Sequence, residues 1–133
     1  MPSLFPYLLN YQFFATTLIR VAAALALFYA SYHYAITRDE IKRTKVVIAG
    51  HIPQWLSLFG ALVIFVAAVL LFVGLYTQAA AIVGMIIGLK HMTFARRYPA
   101  IMPLSAIAGA LLFIMCLSLL LSGAGAFAFD LPL

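Results

Sequence analysis

The sequence predicts an all-α integral membrane protein, a bundle of four helices that run up, down, up and down through the bilayer. Two observations lead to this prediction. Hydrophobic residues make up 67% of the 133 positions and charged residues only 8%, and the apolar residues are concentrated in four long stretches. A soluble domain carries about a quarter charged residues, so the composition excludes that class.

The four apolar stretches predict the positions of the helices. A helix needs about 20 mainly apolar residues to cross ~30 Å of hydrocarbon. The stretches that meet this length lie at about 10–36, 53–76, 78–95 and 100–122, and a glycine-containing tail follows at 123–133. Together they are expected to form a single transmembrane domain. Within the third stretch, Gly84 and Gly88 form a GxxxG step, which predicts close packing against another helix.

The basic residues predict the orientation of the bundle. The loop at 37–52 contains four of them, and the segment joining the third and fourth helices contributes Lys90, Arg96 and Arg97. Basic loops stay in the cytoplasm, so both termini should face outward from what we expect to be a prokaryotic inner or plasma membrane. This orientation accounts for the formal charge of +5, and no nucleic-acid partner is expected.

Three features resemble one family of membrane proteins. The tail from Gly123 to Asp130 has a G-x-G step, three residues, an apolar residue and Asp; the segment 74–78 reads Gly-Leu-Tyr-Thr-Gln; and Arg20 lies near the start of the first helix. In this order and spacing they resemble the DoxX family of small four-helix membrane proteins along nearly the whole chain. Where family members often carry a Glu in helix two, near Ile64, this chain has no acid.

The resemblance implies a small bundle that works beside redox partners, with quinone as the implied cofactor. Our first hypothesis is therefore an accessory subunit of a quinone-linked or other redox membrane complex. The alternative is a structural or assembly subunit that packs against a larger partner with no ligand or chemistry of its own. The expected partners are the lipid bilayer and either other membrane subunits or further copies of this chain.

A stand-alone enzyme is the least supported hypothesis, and no catalytic residue is assigned. The chain has three acidic residues for proton transfer. It contains no phosphate-binding loop, no carboxylate dyad and no Ser/His/Asp arrangement. The single cysteine, Cys116, excludes thiol–disulfide exchange, which requires a pair.

The first candidate site lies at the predicted outer end of the bundle. A charge in the position of Arg20 is costly unless it is paired or reaches water. Asp130 is the acid expected on the same side, and glycines at 123 and 125 allow the tail to fold back over the bundle. We predict an Arg20–Asp130 pair that closes this end. This pair is either only a structural clamp, or a clamp in which Arg20 also donates a hydrogen bond to a quinone carbonyl or an anion. The remaining alternative is that Arg20 is unpaired and snorkels to the membrane surface.

The second candidate site is a cluster at the predicted inner end, composed of His33, His51, Lys90 and His91. Three converging imidazoles can hold a metal, a haem or a quinone. However, no two of these histidines share a helix at ligand spacing, so no metal ligand is assigned. The other reading is an ordinary interfacial belt of polar and aromatic side chains, including Tyr34, and both readings stay open.

Overall fold

The computed structural model describes residues 12–37, 39, 54–99 and 101–123. Over these residues the chain is all-helical, with four helices and no strand. They are α1 (Gln12–Ile36), α2 (Gln54–Val73), α3 (Thr77–Phe94) and α4 (Ala106–Ser122). The predicted all-α class and the number of helices are thus confirmed.

The helix α2 ends at Val73 rather than near Tyr76, because the backbone turns sharply after it. Gly74 has a φ of 77°, a conformation that glycine adopts without steric cost. The N–H groups of Gly74 and Leu75 both donate to the carbonyl of Leu70, at 2.8 and 3.0 Å, and so complete the last turn. Tyr76 is also left-handed, with a φ of 49°, and α3 begins directly after it.

The helix α4 begins at Ala106, later than the expected start near residue 100. Pro103 disfavours a helical conformation of the residue before it, so the chain cannot continue smoothly from this segment into a helix. Ser105 then supplies the N-cap: its side-chain oxygen accepts a hydrogen bond from the N–H of Ala108 at 3.2 Å. Such a cap stabilises a helix start by about 1 kcal/mol.

The helices pack as a ring in chain order. The most extensive contacts join α3 to α4 and α1 to α2, and smaller ones join α2 to α3 and α1 to α4. In the α1–α2 pair, the Ser31 hydroxyl donates to the carbonyl of Ala61 at 2.8 Å, and the Phe28 ring lies edge-on to Phe65 at 5.5 Å. Phe28 precedes Ser31 in α1, whereas its partner Phe65 follows Ala61 in α2, so the two helices are antiparallel.

At the α3–α4 interface the two helix backbones approach each other closely. Gly84 faces the side chain of Cys116, and Gly88 faces the backbone of Gly109, so α3 and α4 also run antiparallel. A methyl group added at Gly88 would lie 2.8 Å from the Gly109 carbonyl oxygen and 2.8 Å from the backbone nitrogen of Phe113. Within the predicted GxxxG step, Gly88 is therefore a site of direct backbone contact, and Gly84 makes room for the Cys116 side chain.

Small residues make up much of the interior of the bundle, together with a few leucines, and large apolar residues cover its outside. The buried alanines include Ala23, Ala24, Ala30, Ala61, Ala67, Ala68, Ala80 and Ala81. Each helix carries large apolar side chains on its outer face, among them Leu18 in α1, Trp55 in α2, Ile86 in α3 and Ile107 in α4. A water-soluble monomer rarely exposes contiguous apolar surface on this scale.

Within the part of the chain that the structure describes, two helices are long and apolar enough to cross a membrane. These are Phe14–Ile36, with 23 residues, and Trp55–Val73, with 19 residues. The segment Ala106–Ser122 is also apolar but shorter. By length and composition, this agrees with the predicted membrane location, whereas the predicted orientation of the termini and loops stays a prediction.

Replacing Gly88 by Ala tests the α3–α4 contact. The added methyl group meets backbone atoms that cannot rotate away, so we expect the free energy of unfolding to fall by about 1–3 kcal/mol. The measurement is thermal unfolding in detergent, followed with a thiol-reactive dye. Cys116 is the single cysteine and is fully buried, so the dye reacts when the bundle opens.

Gly60→Ala is the matched control, because a Cβ at Gly60 would have no atom within 4 Å. At an open helical position Ala is more favourable than Gly by about 0.5–1 kcal/mol. The control should therefore unfold at the wild-type temperature or above it. Equal midpoints for the two variants would contradict the close contact at Gly88.

Candidate functional site

Polar side chains lie inside the bundle at its two opposite ends. We call them the Arg20 end, which contains Arg20 and Thr77, and the Tyr34 end, which contains Tyr34 and His91. All four residues are buried. Polar groups in an apolar interior are costly unless they find partners, so each end requires a physical account.

At the Arg20 end, a charged residue lies at the same level as a buried hydroxyl. Leu27 of α1 lies beside Gly84 of α3, and Arg20 and Thr77 each come about two turns earlier in their own helices. Arg20 is 2% exposed and Thr77 is 0% exposed. A guanidinium keeps its charge at physiological pH. A snorkelling Arg20 would extend that charge to the surface, so its burial favours the alternatives in which the side chain is held within the bundle.

The predicted partner of Arg20 lies outside the described residues. Asp130 belongs to the tail, of which the structure describes only Gly123, with a φ of 78°. Its N–H donates to the carbonyl of Leu119 and so completes the last turn of α4. The Arg20–Asp130 pair therefore stays a prediction.

At the Tyr34 end, a hydrogen bond joins α1 to α3 across the bundle. The Tyr34 hydroxyl lies 3.1 Å from His91 Nε2, and His91 Nδ1 lies 2.8 Å from the carbonyl oxygen of Ile87. A carbonyl can only accept, so in the neutral imidazole Nδ1 carries the hydrogen and Nε2 accepts from Tyr34. Together with the contact between Leu27 and Gly84, this bond shows that α1 and α3 run parallel.

Two further side chains complete the surroundings of Tyr34. Met102, in the connection between α3 and α4, places its sulfur 3.3 Å from the Tyr34 hydroxyl. Lys90 places its ammonium nitrogen 4.5 Å from the centre of the Tyr34 ring, a cation–π arrangement. The hydroxyl has one hydrogen, so with neutral His91 it donates to the imidazole and the sulfur is a close neighbour. Tyr34 is thus held from three sides.

The predicted inner cluster of histidines is only partly brought together. His33 is half-buried, and its Nδ1 lies 3.3 Å from the Thr37 hydroxyl, one turn later in the chain. His91 is fully buried with Tyr34 and Ile87 as partners, and His51 lies outside the described residues. Among the residues that the structure describes, no group of three His, Cys, Asp or Glu side chains can hold a metal ion.

Sequence reasoning assigned Tyr34 to an interfacial belt and did not single out Thr77. The signal that identifies both is the stripe of small residues on each helix. In α1 the stripe through Ala23, Ala24, Leu27 and Ala30 continues to Arg20 and Tyr34, and in α3 the stripe through Ala80, Ala81, Gly84 and Gly88 continues to Thr77 and His91. Following the buried face of each helix in steps of three and four residues therefore leads to the buried polar residue at each of its ends.

An open groove lies beside the Tyr34 end. It has a volume of about 440 Å³ and runs between the end of α3 and the first turn of α4. Arg96 and Ser105 are polar members of its lining, and Leu104 and Ile107 are apolar ones. Met102 lines the groove and also touches the Tyr34 hydroxyl, so the groove is one side chain away from the hydrogen-bonded pair.

Replacing Tyr34 by Phe tests the hydrogen bond across the bundle. The change leaves the Nε2 atom of the fully buried His91 without its donor, which costs about 1–3 kcal/mol. We expect a lower unfolding midpoint in the Cys116 dye assay. Tyr32→Phe is the control, because Tyr32 is exposed on the same helix, and it should keep the wild-type midpoint. A Tyr34→Phe protein as stable as the control would argue against the bond.

Comparisons of the chain with protein-family models, with curated proteins and with solved structures gave no match. The geometry of the bundle and of its two polar ends therefore carries the functional argument.

Proposed function

We propose that this chain is a four-pass membrane protein with a DoxX-like fold that serves as an accessory subunit of a quinone-linked or other redox membrane complex. The observation that carries the membrane location is the apolar exterior. Every helix exposes large apolar side chains, for example Leu18 at 72%, Phe59 at 59%, Ile86 at 61% and Ile107 at 73%. Lipid is the solvent in which such a surface is stable.

The interior supports the same proposal. In lipid no water is released when helices associate, so close packing must hold them together. The backbone contact of Gly88 with Gly109 and the buried alanines provide that packing. Close interior packing beneath an apolar exterior is what a bundle assembled within a bilayer requires.

The charges support a cytoplasmic location for the Tyr34 end. Arg96 and Arg97 are both exposed in the connection between α3 and α4, and the loop with the other basic residues joins α1 to α2 at the same end of the bundle. The positive-inside rule then places both connections in the cytoplasm. In this orientation the Arg20 end and both termini face outward.

An accessory role fits the polar groups better than catalysis by this chain alone. His91, the fully buried titratable group at the Tyr34 end, is held by Tyr34 and Ile87, and the ammonium group of Lys90 lies against the Tyr34 ring. These contacts position helices. The link to redox partners and quinone comes from the DoxX resemblance. Independently of it, Arg20 is our candidate for the group that donates to a quinone carbonyl or an anion.

A structural or assembly subunit without a ligand is the second candidate. The direct packing of α3 on α4 favours it, because this interface leaves no space for a bound molecule at Gly88. In that case the exposed apolar faces contact a larger membrane partner, and the Arg20 end is only a clamp.

Affinity purification in mild detergent, followed by identification of copurifying proteins and extractable lipophilic molecules, separates the two candidates. We expect redox membrane subunits to copurify, with quinone in the extract. Partner proteins that carry no redox cofactor, without quinone, would favour the assembly role. A protein that is recovered alone and empty would contradict the accessory-subunit proposal.

A double-mutant cycle tests the predicted pair of Arg20 and Asp130. Asp130→Ala leaves a buried guanidinium without its proposed partner, and breaking a buried pair costs about 3–5 kcal/mol. Adding Arg20→Ala should then cause little further loss, because the two changes remove the same interaction. Unfolding midpoints in detergent give the measurement.

Asp39→Ala is the control for this cycle, because Asp39 is an exposed acid beyond the other end of α1. It should leave the unfolding midpoint unchanged in the wild-type background and in Arg20→Ala. Strictly additive losses for Arg20→Ala and Asp130→Ala would show that the two residues do not interact.

A further inference from the structure

We infer that the groove between the end of α3 and the start of α4 binds the phosphate region of one anionic phospholipid. The inference rests on the proposed membrane location of the bundle and adds a ligand that the accessory-subunit proposal does not contain. Arg96 provides the charge that meets the phosphate. Leu104 and Ile107 line an apolar path on which the start of one acyl chain can lie.

The shape of the groove suits part of a lipid. Its volume of about 440 Å³ falls in the range of small-molecule sites, and it opens to the outside of the bundle. A whole phospholipid is much larger, so the groove can take the phosphate, the glycerol and the first part of one chain. The remainder of the lipid stays in the surrounding bilayer.

The position of the groove is that of a membrane interface. It lies beyond Phe94, where α3 ends, and includes Ala106, where α4 begins. The ends of membrane-spanning helices coincide with the headgroup region, which is where an Arg side chain meets lipid phosphates. Ile107, at 73% exposure, then points toward the acyl chains.

The charge in and around the groove favours an anion. No Asp or Glu occurs between Thr77 and Gly123, so no carboxylate of α3, α4 or their connection neutralises Arg96. The first turn of α4 adds backbone N–H groups at Ala106 and Ile107, which have no intrahelical acceptor and carry the positive end of the helix dipole. The Ser105 oxygen accepts from the N–H of Ala108, and its own hydroxyl hydrogen can donate to an anion.

A phosphate satisfies this environment better than a neutral quinone. An Arg guanidinium binds a phosphate through two parallel charge-assisted hydrogen bonds. A quinone carbonyl accepts a hydrogen bond but carries no formal charge to balance the cation. The combination of Arg96 with the α4 amides therefore selects for a negative headgroup.

Lipid binding would also stabilise the Tyr34 end. Met102 lines the groove and lies against the Tyr34 hydroxyl, so a lipid that orders the connection between α3 and α4 also holds Met102 in place. A ligand that binds only the folded state raises its stability by RT ln(1 + L/Kd), where L is the free ligand concentration, so the stabilisation grows with that concentration. The unfolding midpoint should therefore rise with the anionic lipid.

Native mass spectrometry of the detergent-purified protein tests the proposal. The protein is titrated with phosphatidylglycerol or with phosphatidylcholine of the same acyl chains. We expect one phosphatidylglycerol to be retained at least fivefold more than phosphatidylcholine. Arg96→Gln should reduce this retention about fivefold or more, and only phosphatidylglycerol should raise the midpoint in the Cys116 dye assay.

Arg97→Gln is the matched control, because Arg97 is the exposed neighbour of Arg96 and does not line the groove. It should retain phosphatidylglycerol like the wild type. Equal losses of phosphatidylglycerol retention in both variants would indicate a diffuse basic surface instead of a defined site and would overturn the proposal. Equal retention of the two lipids would also overturn it.

A ubiquinone analogue that displaces phosphatidylglycerol from wild type, but binds Arg96→Gln as tightly, would make the groove a quinone site and overturn the phospholipid assignment. Neither result alters the copurification of redox subunits, so failure of the lipid site and failure of the proposed function are distinguishable. The dye assay shows whether each variant is folded before its lipid binding is compared.

Discussion

The close approach of α3 and α4 at Gly88 and Gly109 is the contact on which the rest of the structure depends. A side chain at either position would collide with the backbone of the opposite helix. Apolar surface gives no driving force between helices in lipid, so contact of this kind, repeated by the alanines of α1 and α2, must hold the bundle together. The small residues are therefore the structural framework of this protein.

The narrow interior also determines where polar side chains can be placed. Small residues and a few leucines make up most of the interior, with Arg20 and Thr77 at one end and Tyr34 and His91 at the other. These polar groups extend the same buried stripes, and the bond between Tyr34 and His91 joins the two diagonal helices α1 and α3. Because this bond joins fixed positions of two helices, it constrains their register, and its loss would leave a buried imidazole nitrogen without a donor.

The parts of the bundle surface differ in chemistry and therefore suit different partners. The apolar faces suit lipid or a membrane partner, and the exposed Arg96 and Arg97 mark the end that we assign to the cytoplasm. Beside them, the groove at the start of α4 combines one cation with apolar walls. It is a more open candidate for a ligand than the Tyr34–His91 pair, whose atoms are enclosed by Lys90 and Met102.

Composition and pattern alone determined the all-α class and the number of helices, because apolar stretches of this length have few other stable arrangements. The GxxxG step at Gly84 and Gly88 also indicated a close contact, since small residues at that spacing share one helix face. The last residue of α2 and the first residue of α4 were less predictable, because Gly74 and Ser105 act through local backbone geometry that composition does not show.

Only the tertiary structure decided which polar residues meet. His91 and Tyr34 are far apart in the chain and resembled ordinary interfacial residues, and the hydrogen bond between them depends on the parallel packing of α1 and α3. The same holds for the groove at Arg96, which forms because α4 starts at Ala106 rather than near residue 100. Sequence determines which face of each helix is buried, but the partner across the interior follows from how the four faces pack.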